Sequence, residues 1–82
     1  DGKEHPSALS NLALLESING SGKLASELAQ KAMEMDVKSI DVLLTAHKVF
    51  TNLDDKEKID KILESIQDIA PDDARVLNLL FA

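Results

Sequence analysis

Apolar residues recur every three or four positions along most of the chain, and short polar segments separate five such stretches. Between Gly20 and Asp36 this spacing predicts one amphipathic helix. Its apolar stripe consists of Leu24, Leu28, Ala32 and Met35, widened by Ala25, Ala29 and Met33. Because three members of the stripe are alanines, we expect the backbone of another helix to approach this face closely.

The same spacing predicts four further helices and no strand. Their expected limits are Ser7 to about Asn19, Ile40 to Leu53, about Asp55 to Ala70, and Ala74 to Phe81. The apolar side of the first helix should consist of Ala8, Leu9, Leu12, Leu15 and Ile18. The connectors are short, which favours antiparallel packing of neighbouring helices.

Residues that favour the start or the end of a helix lie at these limits. Pro6 suits the first turn of a helix, and Pro71 steers the residue before it away from helical geometry. The predicted N-caps are Ser21, Ser39, Asp54 in a capping box with Glu57, and Asp72 or Asp73.

The second half of the chain repeats the first at an offset of 34 residues. The positions that align are Ala25, Leu28, Ala29, Ala32 and Met35 with Ile59, Ile62, Leu63, Ile66 and Ile69. A helix–turn–helix unit with this period is typical of helical arrays. We therefore expect a flexible tail at 1–5, unit one at 6–39, unit two at 40–73, and a partial unit or capping helix at 74–82.

Composition agrees with an all-α domain. The 82 residues include two Phe but no Trp, Tyr or Cys. A core of aliphatic residues and alanine favours helices over a sandwich or barrel. The lack of cysteine excludes a disulfide framework and a thiolate metal site, but it leaves the compartment open.

Charge narrows the classes of partner. Nine basic and fifteen acidic residues give a net charge of −6. Nucleic acid is not expected as a partner, because neutralising phosphates requires a concentrated basic face. No apolar run approaches the length that spans a bilayer, so direct membrane insertion is not expected either.

No arrangement of residues predicts catalysis, a cofactor or a metal. The two histidines, His5 and His47, lie far apart and lack further ligands at helical spacing. We expect His47 to be largely buried and neutral. The acidic residues from Asp54 to Asp60 have no central glycine and are interrupted by lysines, unlike an EF-hand loop. No nucleophile, base and orienting acid can be assembled, so we expect a non-enzymatic protein.

The chain resembles the tetratricopeptide repeat, a 34-residue helix–turn–helix family. The matching residues of unit one are Leu9, Leu12, Ala13, Gly20, Ala25, Ala32 and the segment QKAMEMD at 30–36. Unit two matches at Leu43, Phe50, Asp55, Leu63 and Pro71, and the partial unit at Ala74, Leu77 and Leu80. The departures are Glu16 for an aromatic, Val37 for the closing proline, His47 for a small residue, and Ile59 and Ile66 for alanines.

This resemblance implies an α-solenoid that binds a protein or peptide in a concave groove lined by the first helix of each unit. The implied groove residues are Ser7, Ser10, Leu14, Ser17, Asp41, Leu44, Lys48, Thr51, Arg75 and Asn78. Family members that hold chaperone tails clamp a terminal carboxylate with several basic and amide side chains. Only Arg75 fits that clamp, so chaperone-tail binding is not expected.

Two alternatives stay open. The chain could be a structural or self-assembly segment of a longer array, because the predicted fifth helix has an uncovered apolar side at Leu77, Leu80 and Phe81. Since the sequence begins with Asp1 and ends on that side, we expect either a longer natural protein or a homodimer through this helix. More remotely, Lys38-Ser39-Ile40-Asp41 is similar to the serine motif of acyl carrier proteins, although a lysine replaces the aspartate before the serine.

Overall fold

Five helices form the described part of the chain, which is residues 5–36 and 38–81 of a computed structural model, with side chains described as far as residue 79. They are α1 (Pro6–Ile18), α2 (Gly22–Met35), α3 (Ile40–Asn52), α4 (Lys56–Ile69) and α5 (Ala74–Phe81). Neither described range contains a strand. The predicted all-α class is confirmed.

The helix limits repeat with the 34-residue offset found in the sequence. The helices α1 and α3 begin at positions 6 and 40, α2 and α4 begin at 22 and 56, and α5 begins at 74. The turns repeat as well, because Gly20 (φ 93°) and Asp54 (φ 58°) both adopt left-handed backbone geometry. After each of these residues a backbone N–H donates to the carbonyl five residues back, from Ser21 to Glu16 at 2.9 Å and from Asp55 to Phe50 at 3.0 Å.

Three N-caps satisfy free backbone N–H groups at helix starts. The Ser39 hydroxyl accepts from the Val42 N–H at 3.3 Å, and the Asp55 carboxylate accepts from the Lys58 N–H at 3.3 Å. Asp73 accepts from the Arg75 N–H at 2.8 Å. These bonds account for the starts of α3, α4 and α5.

Two cap predictions need correction. Ser21 lies at the predicted N-cap position of α2, but its side chain makes no cap hydrogen bond. Asp54 does not cap α4, because it occupies the left-handed position that ends the preceding turn, and Asp55 is the cap. The capping box with Glu57 therefore does not form as predicted.

The core lies between the helices and is built from small and aliphatic residues. Ala25, Ala29 and Ala32 of α2 are fully buried, as the close approach of another helix requires. The main buried cluster consists of Ala13, Ala25, Ala29, Leu43, Ala46, Val49, Phe50, Ile62, Ile66 and Val76. A second cluster joins Leu9, Ala32 and Val42. The extensive helix contacts are α1 with α2, α1 with α3, α2 with α3, and α3 with α4.

The predicted apolar side of α1 is wrong except at Leu9. Leu12, Leu15 and Ile18 are 42%, 53% and 68% exposed, whereas Leu9, Ser10 and Ala13 are buried. Leucines lie on several sides of this helix, so periodicity alone did not define which side faces the core. The same holds at the two ends of α2, where Leu24 and Met35 are exposed rather than packed.

A helix that spans a membrane must be both long and apolar. Within the described ranges, no helix meets both conditions.

Candidate functional site

A depression of about 340 Å³ lies where α1, α3 and α5 meet. Its lining residues are Leu14, His47, Lys48, Thr51, Asn52 and Leu79. We call it the α1–α3–α5 groove. It brings together three residues that the sequence assigned to the binding surface, Leu14, Lys48 and Thr51.

Several polar side chains in and beside the groove already form hydrogen bonds within the protein. The Asn52 amide donates to the Ser17 hydroxyl at 3.0 Å, which joins α3 to α1. Ser17 in turn donates to the Leu14 carbonyl at 2.6 Å, and the Thr51 hydroxyl donates to the His47 carbonyl at 2.7 Å. Because both hydroxyl protons are used, Ser17 and Thr51 can offer a ligand only acceptor oxygens. The apolar contribution comes from Leu14 and Leu79.

Arg75 connects α5 to α3. Its guanidinium donates to the carboxylate of Asp41 on α3 and, at 3.2 Å, to that of Asp73. The hydrogen bond from Arg75 holds the pKa of Asp73 below its ordinary value, and the hydrogen bonds to Asp73 and Asp41 raise the pKa of Arg75. Two carboxylates therefore neutralise this arginine, and it is not free to clamp a ligand carboxylate.

Lys48 is the uncompensated cation of the groove. No described residue forms an ion pair with it, although Lys61 and Arg75 both have one elsewhere. The side chain is exposed. An acidic group that entered the groove would find its counter-charge here.

His47 lies at the edge of the groove and is half-buried. Burial lowers its pKa, because desolvation disfavours the charged imidazole. The direction agrees with the sequence-based expectation of a neutral histidine, but the expectation of large burial is wrong. The equivalent position in unit one holds Ala13, which is fully buried.

The other expected groove residues lie in different settings. Ser10 is only 2% exposed and donates to the Ser7 carbonyl at 2.9 Å, so it cannot contact a partner at the surface. Its assignment to the binding surface is therefore corrected: the inward side of α1 includes this position. Leu44 is half-buried against the core, and Asn78 is exposed.

The expected self-association residues are only partly described. Leu77 is 40% exposed, as an uncovered apolar side requires. The side chains of Leu80 and Phe81 lie outside the described residues, as does Val37 at the closing position of unit one. On the opposite side of α5, Val76 is buried and Leu79 is half-buried against the core.

A second cleft, of about 320 Å³, lies between α2, α3 and α4, and sequence reasoning missed it. Its lining residues are Gln30, Met33, Glu34, Leu43, Glu57, Lys58, Lys61, Ile62 and Ser65. Lys58 crosses from α4 to α2, donating to the Gln30 carbonyl oxygen at 2.8 Å, and lies 5.5 Å from the centroid of the Phe50 ring. Lys61 lies 3.8 Å from Glu57. Both lysines of this cleft therefore already have partners, unlike Lys48 of the α1–α3–α5 groove.

Two further kinds of site were considered in the sequence, a metal site and a carrier serine. In the described ranges, no group of three or more histidines and carboxylates is arranged to hold a metal ion. Ser39, the serine of the motif similar to acyl carrier proteins, is the N-cap of α3.

Comparisons with protein-family models, curated proteins and solved structures find no match for this chain. The functional argument therefore depends on the geometry of its own residues.

Proposed function

We propose that this chain is a non-enzymatic protein-interaction module, similar to tetratricopeptide repeats, that holds a peptide or helix of a partner protein in the α1–α3–α5 groove. The observation that carries the proposal is that residues of three alternate helices line one depression. The 34-residue offset between helix limits supports the resemblance to that repeat family.

The chemistry of the groove suggests the kind of segment it accepts. Leu14 and Leu79 offer apolar contact, and Lys48 offers one unpaired positive charge. Arg75 adds little, because Asp41 and Asp73 neutralise it. A segment with one aliphatic side chain next to an acidic side chain matches this arrangement.

Selection of random peptides against the folded chain tests the proposal. Thr51→Trp should fill the depression, and we expect it to weaken binding of the selected peptides by about tenfold or more. Lys23→Trp is the matched control, because Lys23 is exposed and lines a different depression at the α1–α2 turn. Peptides that bind wild type and both variants equally would refute binding in the groove.

A second candidate function is self-assembly through α5, as a structural segment of a longer helical array. Leu77 is exposed, whereas Leu9 and Leu43, at the same position of units one and two, are 8% and 4% exposed. In those units the second helix covers the leucine. A homodimer through α5 would bury Leu77, and the sequence-based expectation adds Leu80 and Phe81.

Sedimentation over a wide range of concentration tests this candidate. We expect the wild type to self-associate, and Leu77→Ser or Leu80→Ser/Phe81→Ser to be monomeric with the helical circular dichroism retained. A wild type that stays monomeric at the highest concentration would exclude the candidate.

A further inference from the structure

The turn between α1 and α2 contains an asparagine directly before a glycine. The protein has four asparagines, and three of them, Asn11, Asn52 and Asn78, precede a leucine. Only Asn19 precedes a glycine, Gly20. This pairing matters because the backbone nitrogen that follows an asparagine can attack the amide carbon of its side chain. Glycine has no side chain to obstruct that attack.

Both residues of the pair are open to solvent. Asn19 is the C-cap of α1, Gly20 follows it, and both are exposed. Among the described residues, neither the Asn19 side chain nor the Gly20 N–H has a hydrogen-bond partner. A Cβ on Gly20 would meet no atom within 4 Å, so the space beside the attacking nitrogen is empty as well. Neither burial nor hydrogen bonding therefore protects the two reacting groups.

The observed turn must open before these two groups can react. Asn19 has φ −79° and ψ −2°, and at this ψ its side-chain carbon is rotated away from the Gly20 nitrogen. Rotation about the Cα–C bond of Asn19 brings the two atoms together and breaks the hydrogen bond from Ser21 to Glu16. Gly20, at φ 93°, can follow this rotation because glycine adopts positive and negative φ about equally. Exposed turns open locally while the core stays folded.

We infer that Asn19 is a site of spontaneous covalent modification, at which the chain deamidates through a cyclic imide and forms isoaspartate. The Gly20 nitrogen gives its proton to a base and attacks Cγ of Asn19. The bond from Cγ to the side-chain nitrogen breaks, and that nitrogen takes up a proton and leaves as ammonia.

Water then opens the imide at one of its two carbonyl carbons. Attack at the α-carbonyl carbon gives isoaspartate, and attack at Cγ gives aspartate. The whole reaction consumes one water and releases one ammonia, so it requires no oxidant, cofactor or enzyme.

The product changes the α1–α2 turn in two ways. It places a negative charge at the carboxyl end of α1, where the helix dipole disfavours anions. Isoaspartate also adds one methylene to the main chain, which disrupts the hydrogen bond from Ser21 to Glu16. Unit two has Leu53 and Asp54 at the same positions and lacks the asparagine–glycine pair. The modification therefore affects unit one alone among the two turns.

Peptide mapping of the full chain, stored in mildly alkaline buffer, tests the inference. Cleavage after Lys3 and Lys23 gives one peptide that holds both Asn19 and Asn11, so the two sites are compared in one spectrum. Each event raises the mass by about 1 Da, and fragmentation distinguishes isoaspartate from aspartate. We expect Asn19 to react about tenfold faster than Asn11 or more. Equal rates at the two sites would overturn the inference.

An acetylated and amidated peptide of residues 16–23 gives the rate without the fold. We expect this peptide to react faster than the folded chain, because its turn is not held closed. The ratio of the two rates measures how often the turn opens in the protein. If the peptide is converted completely while Asn19 of the folded chain stays intact, the turn does not open and the inference is overturned.

Two variants test the role of the glycine. Gly20→Ala places a methyl group beside the attacking nitrogen and should slow the reaction by about tenfold or more. Ser21→Ala is the matched control, because the Ser21 side chain makes no cap hydrogen bond, and it should change the rate by less than about twofold. An unchanged rate in Gly20→Ala would overturn the inference.

The melting temperature of the separated isoaspartyl chain supplies a second readout. We expect it to be lower than that of Asn19→Asp, which adds the charge without the methylene. Equal melting temperatures would contradict the inferred effect on the turn.

Discussion

Units one and two share their helix limits and their turn geometry, yet they use different residues at the same positions. The left-handed residue of the turn is Gly20 in unit one and Asp54 in unit two. On the second helix, the fully buried Ala25 corresponds to the half-buried Ile59. The comparison teaches that period and turn geometry are kept while side-chain volume is not, so each unit has its own packing.

The first helices differ in exposure at the same positions. Val42, Ala46 and Val49 on α3 are all buried, and α3 packs against α1, α2 and α4. The residues at the same positions of α1, which are Ala8, Leu12 and Leu15, are all exposed. Apolar pattern alone is therefore a poor guide to which side of α1 faces inward, and neighbouring helices decide it.

The largest expected effect concerns the closest helix contact. Ala25→Leu should destabilise the fold by about 1–3 kcal/mol, because extra methylenes at a fully buried position force the helices apart. At the same position of unit two, Ile59→Leu conserves volume and should cost less than about 1.5 kcal/mol. Urea unfolding measures both. Equal costs would mean that the two units are packed equally tightly.

The turns should respond in opposite directions. Gly20→Ala should destabilise by about 1 kcal/mol, because a Cβ disfavours positive φ. A Cβ on Gly20 would meet no atom within 4 Å, so this cost is conformational rather than steric. Asp54→Gly should stabilise by about 0.5–1 kcal/mol, because it removes the same strain. Thermal melting checks the pair, and a shift of the same sign for both would contradict the account.

The smallest effect is the pH dependence that His47 adds to unit two. Burial lowers its folded pKa, so between that value and the unfolded value near 6.5 the unfolded state binds more protons. Stability is therefore complete above about pH 6.5 and falls slightly as the pH decreases through this window. His47→Gln should reduce the slope, and His5→Gln serves as the control. A His47 titration at the ordinary value by NMR would contradict a burial effect.

The fold could be predicted from the sequence more fully than the site. Helical spacing, Pro71 and the 34-residue repeat were enough to predict five helices, with limits within about two residues of those observed. Ser21 was placed correctly before α2 but makes no side-chain cap bond, and the cap of α4 was predicted one residue early, because Asp54 occupies the left-handed turn position. Spacing gives the length of a helix more reliably than its ends.

The candidate site was predicted in part. Leu14, Lys48 and Thr51 do line one groove, but Ser10 is buried, and Asn52 and Leu79 join the lining. The second cleft, lined by Met33 and other residues, gave no signal in the sequence, since it depends on how far α2 and α4 lie from each other. The distance between two helices depends on how three helices pack together, and the spacing of apolar residues in one helix does not determine it.

Binding in the α1–α3–α5 groove is the central claim, and NMR shift mapping with a peptide selected against the chain tests it most directly. The account predicts that the largest methyl shifts occur at Leu14 and Leu79, with amide shifts at Lys48 and Thr51. Largest shifts at Met33 and Ile62, in the cleft between α2 and α4, would contradict it.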